Sequence, residues 1–559
     1  MQDSEEPAGP SLVAQTAAPP QGSILMRMHR LDHSPVSRTG AAMFATAILM
    51  VAILLARTIA ARGEPAFLGQ DVDLYAAALA LASLVFGLLL TRRPITIGIP
   101  EATDRRLVLV AIAVFGLLAI GALLIFGPSP ATPDEEVALF QARLFSEFKV
   151  IGQYPSGLVD QMLLPAYHNT IILVGMDGRT MSVYWPGWAL LMTPFVWLGV
   201  PWLLGPAMAA LSVLLIGKLA TLLAGARAGT IAVLLTVTSG AFLLNGMSIF
   251  PAGGHLTLSL LYAWLLLRGS TRDYVLAGLV GGLALVFNNP FPHAAFALPW
   301  LLWLLANPAC RKRLIPLALG YIPGLVVLVG WLLIQSSLRT NDSNAVTVAW
   351  IDRFSLLINV PNPTIVSLRF WELVRAWAWS APGLLLLAWV GWRRTRGQIG
   401  LQLLGASFVV TVVLYALFPS DQGLGYGARY YHVAWGALPI LAAVPLATLG
   451  WERLRNVALV AALVGLLLVV PLEMSYAHGL TTISTVPMSE LRAPGVDLSF
   501  VDFDKVRSPG ITMNNDPSTK GFIALISHGP AADQALVDRY FPGARLVIRT
   551  SFGSGYARP

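Results

Sequence analysis

The chain has 559 residues, of which 56% are hydrophobic and 12% are charged, and its mean hydropathy is +0.68. The charged share is about half that of a soluble globular protein, which excludes a coiled coil, a disordered chain and a secreted disulfide scaffold and leaves an integral membrane protein. The single cysteine, Cys310, excludes an intramolecular disulfide and a CxxC site. The net charge of +8 is divided among short basic clusters between apolar segments, which disfavours nucleic-acid binding.

The chain begins with a polar segment and continues as a long series of apolar segments. Residues 1–38 are rich in Pro, Ser and Ala and are predicted to be a disordered cytoplasmic tail. Residues 39–473 are predicted to be an all-α, polytopic transmembrane domain with about thirteen spanning helices. The predicted spans are 41–60, 74–90, 107–126, 202–223, 229–245, 254–267, 274–288, 294–306, 314–334, 377–392, 400–418, 433–449 and 456–473.

Basic residues are concentrated in alternate connections between these spans. Because positively charged connections remain in the cytoplasm, the N-terminus is predicted to be cytoplasmic and the C-terminus to lie on the outer side. The basic clusters are Arg92, Arg93, Arg105 and Arg106, then Arg311, Lys312 and Arg313, then Arg393, Arg394 and Arg396, and finally Arg453 and Arg455.

Three predicted outer segments, 127–201, 335–376 and 474–559, are too long to be simple turns. The second contains an amphipathic stretch, which an interfacial helix explains without catalysis. In the third, the sequences GFIALISH and ARLVIRTSF are typical of strands on either side of a short helix, so residues 474–559 are predicted to form a small extracytoplasmic α/β cap. The charged residues of the amphipathic stretch are Arg353, Arg369, Glu372 and Arg375.

Three consecutive acidic residues, Asp134, Glu135 and Glu136, follow the third predicted span. A structural interpretation makes Thr132 the N-cap and Glu135 the partner in a capping box. The helix 133–149 would then lie along the membrane surface, with one apolar face formed by Val137, Phe140, Leu144 and Phe148. A functional interpretation is that these carboxylates provide a general base or hold a cation.

A third span followed by Pro133-Asp134-Glu135, an amphipathic helix and the sequence 184–188, Tyr-Trp-Pro-Gly-Trp, resembles the membrane glycosyltransferases of the C-type fold. This family includes the protein O-mannosyltransferases and the lipid A aminoarabinose transferase. The resemblance implies a polyprenyl-phosphate-linked sugar donor, an envelope glycan, lipid or protein acceptor on the periplasmic side, and a bacterial inner membrane. It also implies that Asp134, with Glu135 beside it, activates the acceptor, and direct displacement would invert the anomeric carbon.

The anionic donor requires a cationic site at the outer interface. Arg429, in the Gly-rich segment 423–432, is the best candidate phosphate ligand, and Tyr426 and Tyr430 are candidates for stacking on the sugar. An equally weighted alternative is an aromatic belt with a snorkelling arginine. His255 is a further donor-site candidate.

Weaker candidates for the acceptor site or the cavity lining are polar and aromatic residues of the predicted outer turns, which could instead satisfy loop backbone. The sequence predicts no metal site from spaced histidines, although a divalent cation at Asp134 and Glu135 is a candidate cofactor. These weaker candidates are His168, Tyr184, Trp185, Asn289 and His293.

Three other functions compete with sugar transfer. A transporter or lipid flippase would place ionisable residues at mid-membrane, whereas the predicted spans here are almost free of acidic residues. An O-antigen ligase or polymerase would depend on a late outer loop, whereas the acidic motif is early. A non-catalytic scaffold is the third alternative.

Overall fold

The computed structural model describes residues 34–60, 70–92, 97–127, 129–339, 363–418, 427–506, 515 and 521–559. Most of the predicted disordered tail lies outside these residues, but its last part does not, because the first helix begins at Ser34. In the second predicted outer segment, residues 340–362 also lie outside the described part, and the chain is helical on both sides of them.

The described part of the chain is mostly helical. In chain order the helices are α1 (Ser34–Ala60), α2 (Gln70–Leu90), α3 (Asp104–Gly121), α4 (Pro133–Ser146), α5 (Val159–Met162), α6 (Gly187–Trp197), α7 (Leu204–Ala224), α8 (Ala226–Val237), α9 (Gly240–Met247), α10 (Ala252–Arg268), α11 (Thr271–Leu285), α12 (Pro290–Ala306), α13 (Leu314–Arg339), α14 (Pro363–Ala378), α15 (Leu384–Arg394), α16 (Ile399–Tyr415), α17 (His432–Trp435), α18 (Ala437–Ala447), α19 (Glu452–Leu491) and α20 (Pro530–Tyr540). The strands are β1 (Gly152–Gln153), β2 (Ile172–Val174), β3 (Arg179–Ser182), β4 (Leu498–Val501), β5 (Ile523–Ile526), β6 (Arg545–Thr550) and β7 (Gly553–Ala557).

Within the described residues, 6 helices are long and apolar enough to cross a membrane, and up to 8 spans result if each of two bent helix pairs crosses once. The predicted count of about thirteen is therefore not confirmed. The α8–α9 pair bends by 68° inside the predicted span 229–245, and the pair Arg429–Trp435 and Ala437–Ala447 bends by 50° inside the predicted span 433–449. The apolar helices α6, α12 and α16 are shorter than a full span.

The predicted span 377–392 is wrong as one continuous helix. Helix α14 ends at Ala378 and α15 begins at Leu384. Between them, Pro382 lacks a backbone donor and Gly383 adopts a left-handed conformation with φ of +83°, so helical hydrogen bonding is interrupted. The sequence is apolar on both sides of this interruption, so hydropathy alone predicted one continuous helix.

Two acidic residues of the described spanning helices are buried: Asp73, one residue before the predicted span 74–90, and Glu473, the last residue of the predicted span 456–473. Asp73 on α2 accepts two hydrogen bonds of 2.8 Å from the guanidinium of Arg375 on α14, and one of 3.0 Å from the indole of Trp379. Glu473 on α19 is fully buried. The Asp73–Arg375 pair ties the start of a spanning helix to the end of α14.

Two small sheets lie outside the spanning helices. The first has the strand order β1-β3-β2 and is antiparallel. The second has the order β5-β4-β7-β6, in which only the β4–β5 pair is parallel, and α20 connects β5 to β6. It follows α19, which continues well past residue 473.

The second sheet shares a hydrophobic cluster with α4 and with α5, the short helix that follows it. One hydrophobic cluster contains Val137, Phe140 and Leu144 of α4 together with Leu498, Phe500, Ile523, Leu525 and Tyr556 of the sheet. Asn515 links the sheet to the segment after α4. Its side-chain amide donates to the carbonyls of Ala524 in β5, at 2.8 Å, and Met162, at 3.1 Å, and its backbone carbonyl accepts from the hydroxyl of Tyr154 at 3.1 Å. The sheet and α4 must therefore lie on the same side of a membrane.

Helix α4 does not lie along a surface with one apolar face, as the sequence predicted. Residues 134–142 are all buried, so α4 is enclosed on every side. It ends at Ser146 rather than at residue 149, and Phe148, with φ of +57°, is 90% exposed instead of sharing the face of Val137. Helix α4 packs against α6 and β3, and its apolar residues share one hydrophobic cluster with the C-terminal sheet.

Candidate active site

The start of α4 is stabilised as an N-terminus by the residues that the sequence indicated. The side chain of Thr132 accepts a hydrogen bond of 3.4 Å from the backbone of Glu135, and Pro133 occupies the first helical position. The capping box is wrong in one detail, because the carboxylate of Glu135 accepts from the backbone of Ala131 at 2.6 Å. This bond directs the side chain of Glu135 towards the residue that precedes the N-cap.

Three chain segments meet at Asp134. The hydroxyl of Tyr184, which follows β3, donates a hydrogen bond to one carboxylate oxygen of Asp134. The guanidinium of Arg429, in the turn before α17, lies 3.6 Å from the other oxygen. The structure therefore brings together a predicted catalytic residue, a predicted cavity residue and the predicted phosphate ligand.

Tyr184 is held in place by its own backbone. Its amide donates to the hydroxyl of Ser182 at 3.0 Å, and its carbonyl accepts from the indole of Trp331 on α13 at 2.9 Å. Burial, and secondly the charge of Asp134, raise the pKa of Tyr184 well above its ordinary value. The phenol therefore remains protonated and donates its hydrogen bond to the carboxylate across the physiological pH range.

The two acidic residues after Asp134 are more deeply buried than Asp134 itself. Burial raises the pKa of Glu135 to about 7, although the bond from Ala131 and the charge of Arg429 oppose this increase. Burial, and secondly the charge of Glu135, raise the pKa of Glu136 well above its ordinary value. The acidic cluster thus contains one carboxylate paired with an arginine and two carboxyls that burial drives towards the neutral form.

Arg429 is buried rather than snorkelling at an interface. It is 8% exposed, and its guanidinium lies 4.5 Å from the ring centroid of Phe250. The preceding residues Gly427 and Ala428 both have left-handed backbones, with φ of +68° and +64°. Alanine rarely adopts this conformation, so the surrounding contacts must hold the turn that presents Arg429.

Those contacts come from α14, which sequence reasoning had treated as an interfacial helix. Arg369 and Glu372 form a buried ion pair of 3.1 Å, and Glu372 accepts a hydrogen bond of 3.3 Å from the backbone of Tyr430. Burial raises the pKa of Glu372 to about 7. The spacing of Arg369, Glu372 and Arg375 places all three on one face of a helix, and that face packs into the protein instead of facing water. The sequence signal for a buried face was the presence of Trp371, Trp377 and Trp379 beside these charged residues.

The other candidate residues have identifiable packing partners. The ring of Tyr430 stacks on Tyr415 with a centroid separation of 4.7 Å and lies 4.7 Å from the guanidinium carbon of Arg369. Trp185 donates its backbone amide to the carbonyl of Asn288 at 3.2 Å. Tyr426 lies outside the described residues.

The three histidine candidates and Asn289 each have a different packing or hydrogen-bond partner. His255 is buried and contacts Phe287 edge-to-face at 5.0 Å, and His293 shares a hydrogen bond of 2.8 Å with the hydroxyl of Tyr321. His168 contacts the carbonyl of Leu163 at 3.1 Å. Asn289 caps α12 by accepting from the backbone of Phe291, as the structural alternative predicted.

Metal-ligating residues do not cluster in the part of the chain described above: it holds no group of three or more His, Cys, Asp or Glu side chains that could hold a metal ion. Two clefts of about 440 Å³ and 670 Å³ open in the C-terminal sheet, and their lining residues do not include Asp134, Tyr184 or Arg429.

No family model matches the chain, and no curated protein matches it by sequence. Solved structures do match its fold. The crystal structure of ArnT from Cupriavidus metallidurans bound to undecaprenyl phosphate has a TM-score of 0.53 at 14% identity, over 81% of this chain and 98% of that chain. The apo structure of the same protein has a TM-score of 0.51 at 14% identity, over 82% and 100%. The chain therefore has the fold of these ArnT structures, which confirms the resemblance stated above at the level of the fold.

Proposed function

We propose that this protein is a membrane glycosyltransferase that moves a sugar from a polyprenyl-phosphate-linked donor to a hydroxyl group of an envelope glycan, lipid or protein. The observation that carries the proposal is the buried cluster of Asp134, Tyr184 and Arg429, since it combines a carboxylate with a cation in one enclosed place. The similar ArnT structure supports the donor class, because it contains undecaprenyl phosphate.

In the proposed reaction, the guanidinium of Arg429 binds the donor phosphate and Asp134 is the general base. The acceptor oxygen attacks the anomeric carbon while the bond from that carbon to the phosphate oxygen breaks. The acceptor proton passes to Asp134, and polyprenyl phosphate leaves with the electron pair of the broken bond. A single displacement inverts the anomeric carbon.

Without a donor, Arg429 is paired with Asp134 at 3.6 Å, so its guanidinium lies against the carboxylate that would accept the acceptor proton. A donor phosphate that binds Arg429 would weaken this pair and release Asp134 for the acceptor. The hydrogen bond from Tyr184 would keep the carboxylate oriented during the exchange. We therefore propose that the donor binds before the acceptor is activated.

We propose that the site and the C-terminal sheet lie on the periplasmic side of a bacterial inner membrane, with the N-terminus in the cytoplasm. Two observations support this: the basic connections alternate along the chain, and the sheet shares one hydrophobic cluster with α4. The C-terminal α/β region would then be an extracytoplasmic cap over the helix that bears Asp134.

A divalent cation at Asp134 and Glu135 stays a prediction. It would compete with Arg429 for Asp134, and with the backbone of Ala131 for Glu135. The chemistry proposed above assigns the neutralisation of the phosphate to Arg429.

A transporter or flippase is the second candidate, and two observations favour it. Two helix pairs within the described part are broken, and Asp73 and Glu473 are buried among the spanning helices, which are features of transporters. Reconstituted vesicles distinguish the two functions: movement of lipid or solute across the bilayer without sugar transfer would support the transporter.

The proposed function is tested by mass spectrometry of envelope glycans from a deletion strain, complemented with wild type, Asp134→Asn or Asp177→Asn. Asp177 is a matched control, because it lies in the same outer segment but is exposed and pairs with Arg179. We expect a sugar to be missing in the deletion strain and to be restored by wild type and Asp177→Asn only. Restoration by Asp134→Asn, at normal membrane levels, would remove Asp134 from the role of base.

A further inference from the structure

One ion pair on α14 holds the chain on both sides of residues 419–426. Arg369 donates hydrogen bonds to the carbonyls of Tyr415, at 3.0 Å, and Phe418, at 3.4 Å, where α16 ends. Its partner Glu372 accepts from the backbone of Tyr430, on the other side of that segment. Both side chains are buried, at 3% and 0% exposure, so these bonds are protected from water.

The turn that presents Arg429 depends on these contacts. Gly427 and Ala428 have left-handed backbones, and for Ala428 that conformation costs free energy that the surroundings must offset. The bond from Tyr430 to Glu372 follows directly after Arg429, and the hydroxyl of Tyr431 donates to the carbonyl of Arg369 at 3.1 Å. The two α14 residues thus fix the turn immediately after the guanidinium-bearing residue.

The charges along this contact alternate in sign. Asp134 pairs with Arg429, Glu372 attracts Arg429, and Glu372 pairs with Arg369. Arg429 is therefore paired with one carboxylate and also feels the charge of the carboxylate that binds the next residue's backbone. If Glu372 lost its charge, Arg429 would be drawn more strongly to Asp134, and the pair would be harder for an incoming phosphate to separate.

We propose that Glu372, supported by Arg369, is a positioning residue that sets the place and the availability of Arg429 for the donor phosphate. This inference rests on the proposed function, because it concerns the same phosphate site. Glu372 touches neither the reacting atoms nor the phosphate, and it acts through the backbone of Tyr430 and the charge of Arg429.

The test measures binding of undecaprenyl phosphate to the full-length protein in detergent. The variants are Glu372→Gln, Arg429→Ala and the double variant, with Glu490→Gln as a control at an exposed position. We expect Kd to rise by roughly tenfold or more in each single variant, as loss of a charged hydrogen bond would cause. We expect the double variant to bind no more weakly than Arg429→Ala alone, because Glu372 acts through Arg429.

Three outcomes are decisive. Unchanged affinity in Glu372→Gln, or additive losses in the double variant, would overturn the positioning role while leaving the proposed function intact. Failure of the wild-type protein to bind undecaprenyl phosphate would instead overturn the proposed function.

A rescue experiment separates positioning from general destabilisation. Glycine adopts the left-handed conformation without the cost that alanine bears, so Ala428→Gly in the Glu372→Gln background should recover part of the lost affinity. Because Ala428→Gly would also stabilise the fold by relieving this strain, Tm is measured for every variant, and only affinity recovered at an unchanged Tm reports positioning. No recovery, with Glu372→Gln folded as judged by its Tm, would contradict the role assigned to Glu372.

Discussion

The phenol of Tyr184 donates a hydrogen bond to the carboxylate of Asp134, across 50 positions of sequence. Removing that hydroxyl tests whether orientation of the carboxylate matters for sugar transfer. Tyr184→Phe keeps the ring that packs beside Asp134 and removes only the donor. We expect the rate of transfer to fall by roughly 10- to 100-fold, as loss of a charge-assisted hydrogen bond would cause, with little change in Tm.

The control for that variant is Tyr75→Phe, since Tyr75 is 58% exposed on α2. Transfer rates are measured on purified protein with the donor and acceptor identified from the deletion strain. If Tyr184→Phe transferred sugar at the wild-type rate, the hydrogen bond to Asp134 would have no catalytic role.

Glu135 makes the stability of the protein depend on pH. Its pKa is raised from an ordinary 4.5 to about 7 in the folded protein, so between these values the folded state binds more protons than the unfolded state. The free energy of unfolding therefore falls as pH rises from about 5 to 7, by on the order of 3 kcal/mol for this group. Glu372, with its pKa also raised to about 7, acts in the same direction.

The pH effect is checked by measuring Tm at pH 5 and pH 8. Glu135→Gln should reduce the difference between the two values, mainly by raising Tm at pH 8, whereas Glu147→Gln, at an exposed position, should leave it unchanged. An identical pH dependence in Glu135→Gln and wild type would show that Glu135 does not cause it.

Removing one partner of the Asp73–Arg375 pair should destabilise the protein much more than removing both charges together. Arg375→Ala leaves Asp73 buried without its cation, and we expect a loss of about 3 to 5 kcal/mol, seen as a large decrease in Tm. The double variant Asp73→Asn/Arg375→Gln removes both charges and should recover much of that loss. The exposed Arg393→Ala is the control. Equal Tm values for Arg375→Ala and wild type would show that the pair contributes nothing to stability.

The proposed orientation in the membrane is tested by labelling introduced cysteines with a membrane-impermeant maleimide. In a Cys310→Ala background, Asp538→Cys on the exposed face of α20 should react in intact spheroplasts. Lys312→Cys, in a basic connection, should react only after the membrane is permeabilised. Reversed reactivity would place α4 and the C-terminal sheet in the cytoplasm and would contradict the proposed function.

Much of the helical framework could be predicted from apolar runs, since almost every predicted span contains a helix. Interruptions could not, because Thr238-Ser239 and Gly436 break helices within sequences that are apolar on both sides. The break at Ser239 is stabilised by a segment far away in sequence, because the backbone amide of Ala381 donates a hydrogen bond of 2.8 Å to the hydroxyl of Ser239. A contact between segments so far apart in sequence leaves no local signal.

The candidate site was predicted in parts rather than as a whole. Asp134 and Arg429 each stood out locally, one in an acidic cluster and the other as the lone basic residue of its loop. Their pairing depends on tertiary packing, which a single sequence does not encode in a readable pattern. Glu372 was missed because a charged helix face resembles a solvent-exposed one until the surrounding helices are known.

The strand order of the C-terminal sheet determines how the sheet responds to loss of its last strand. The last strand, β7, lies between β4 and β6, so β6 has no other strand partner in the described sheet and β4 has only β5 besides. Removal of residues 553–559 would therefore leave β6 without a strand partner and expose one edge of β4. Loss of β7 should therefore disturb the sheet that shares a hydrophobic cluster with α4, the helix that bears Asp134.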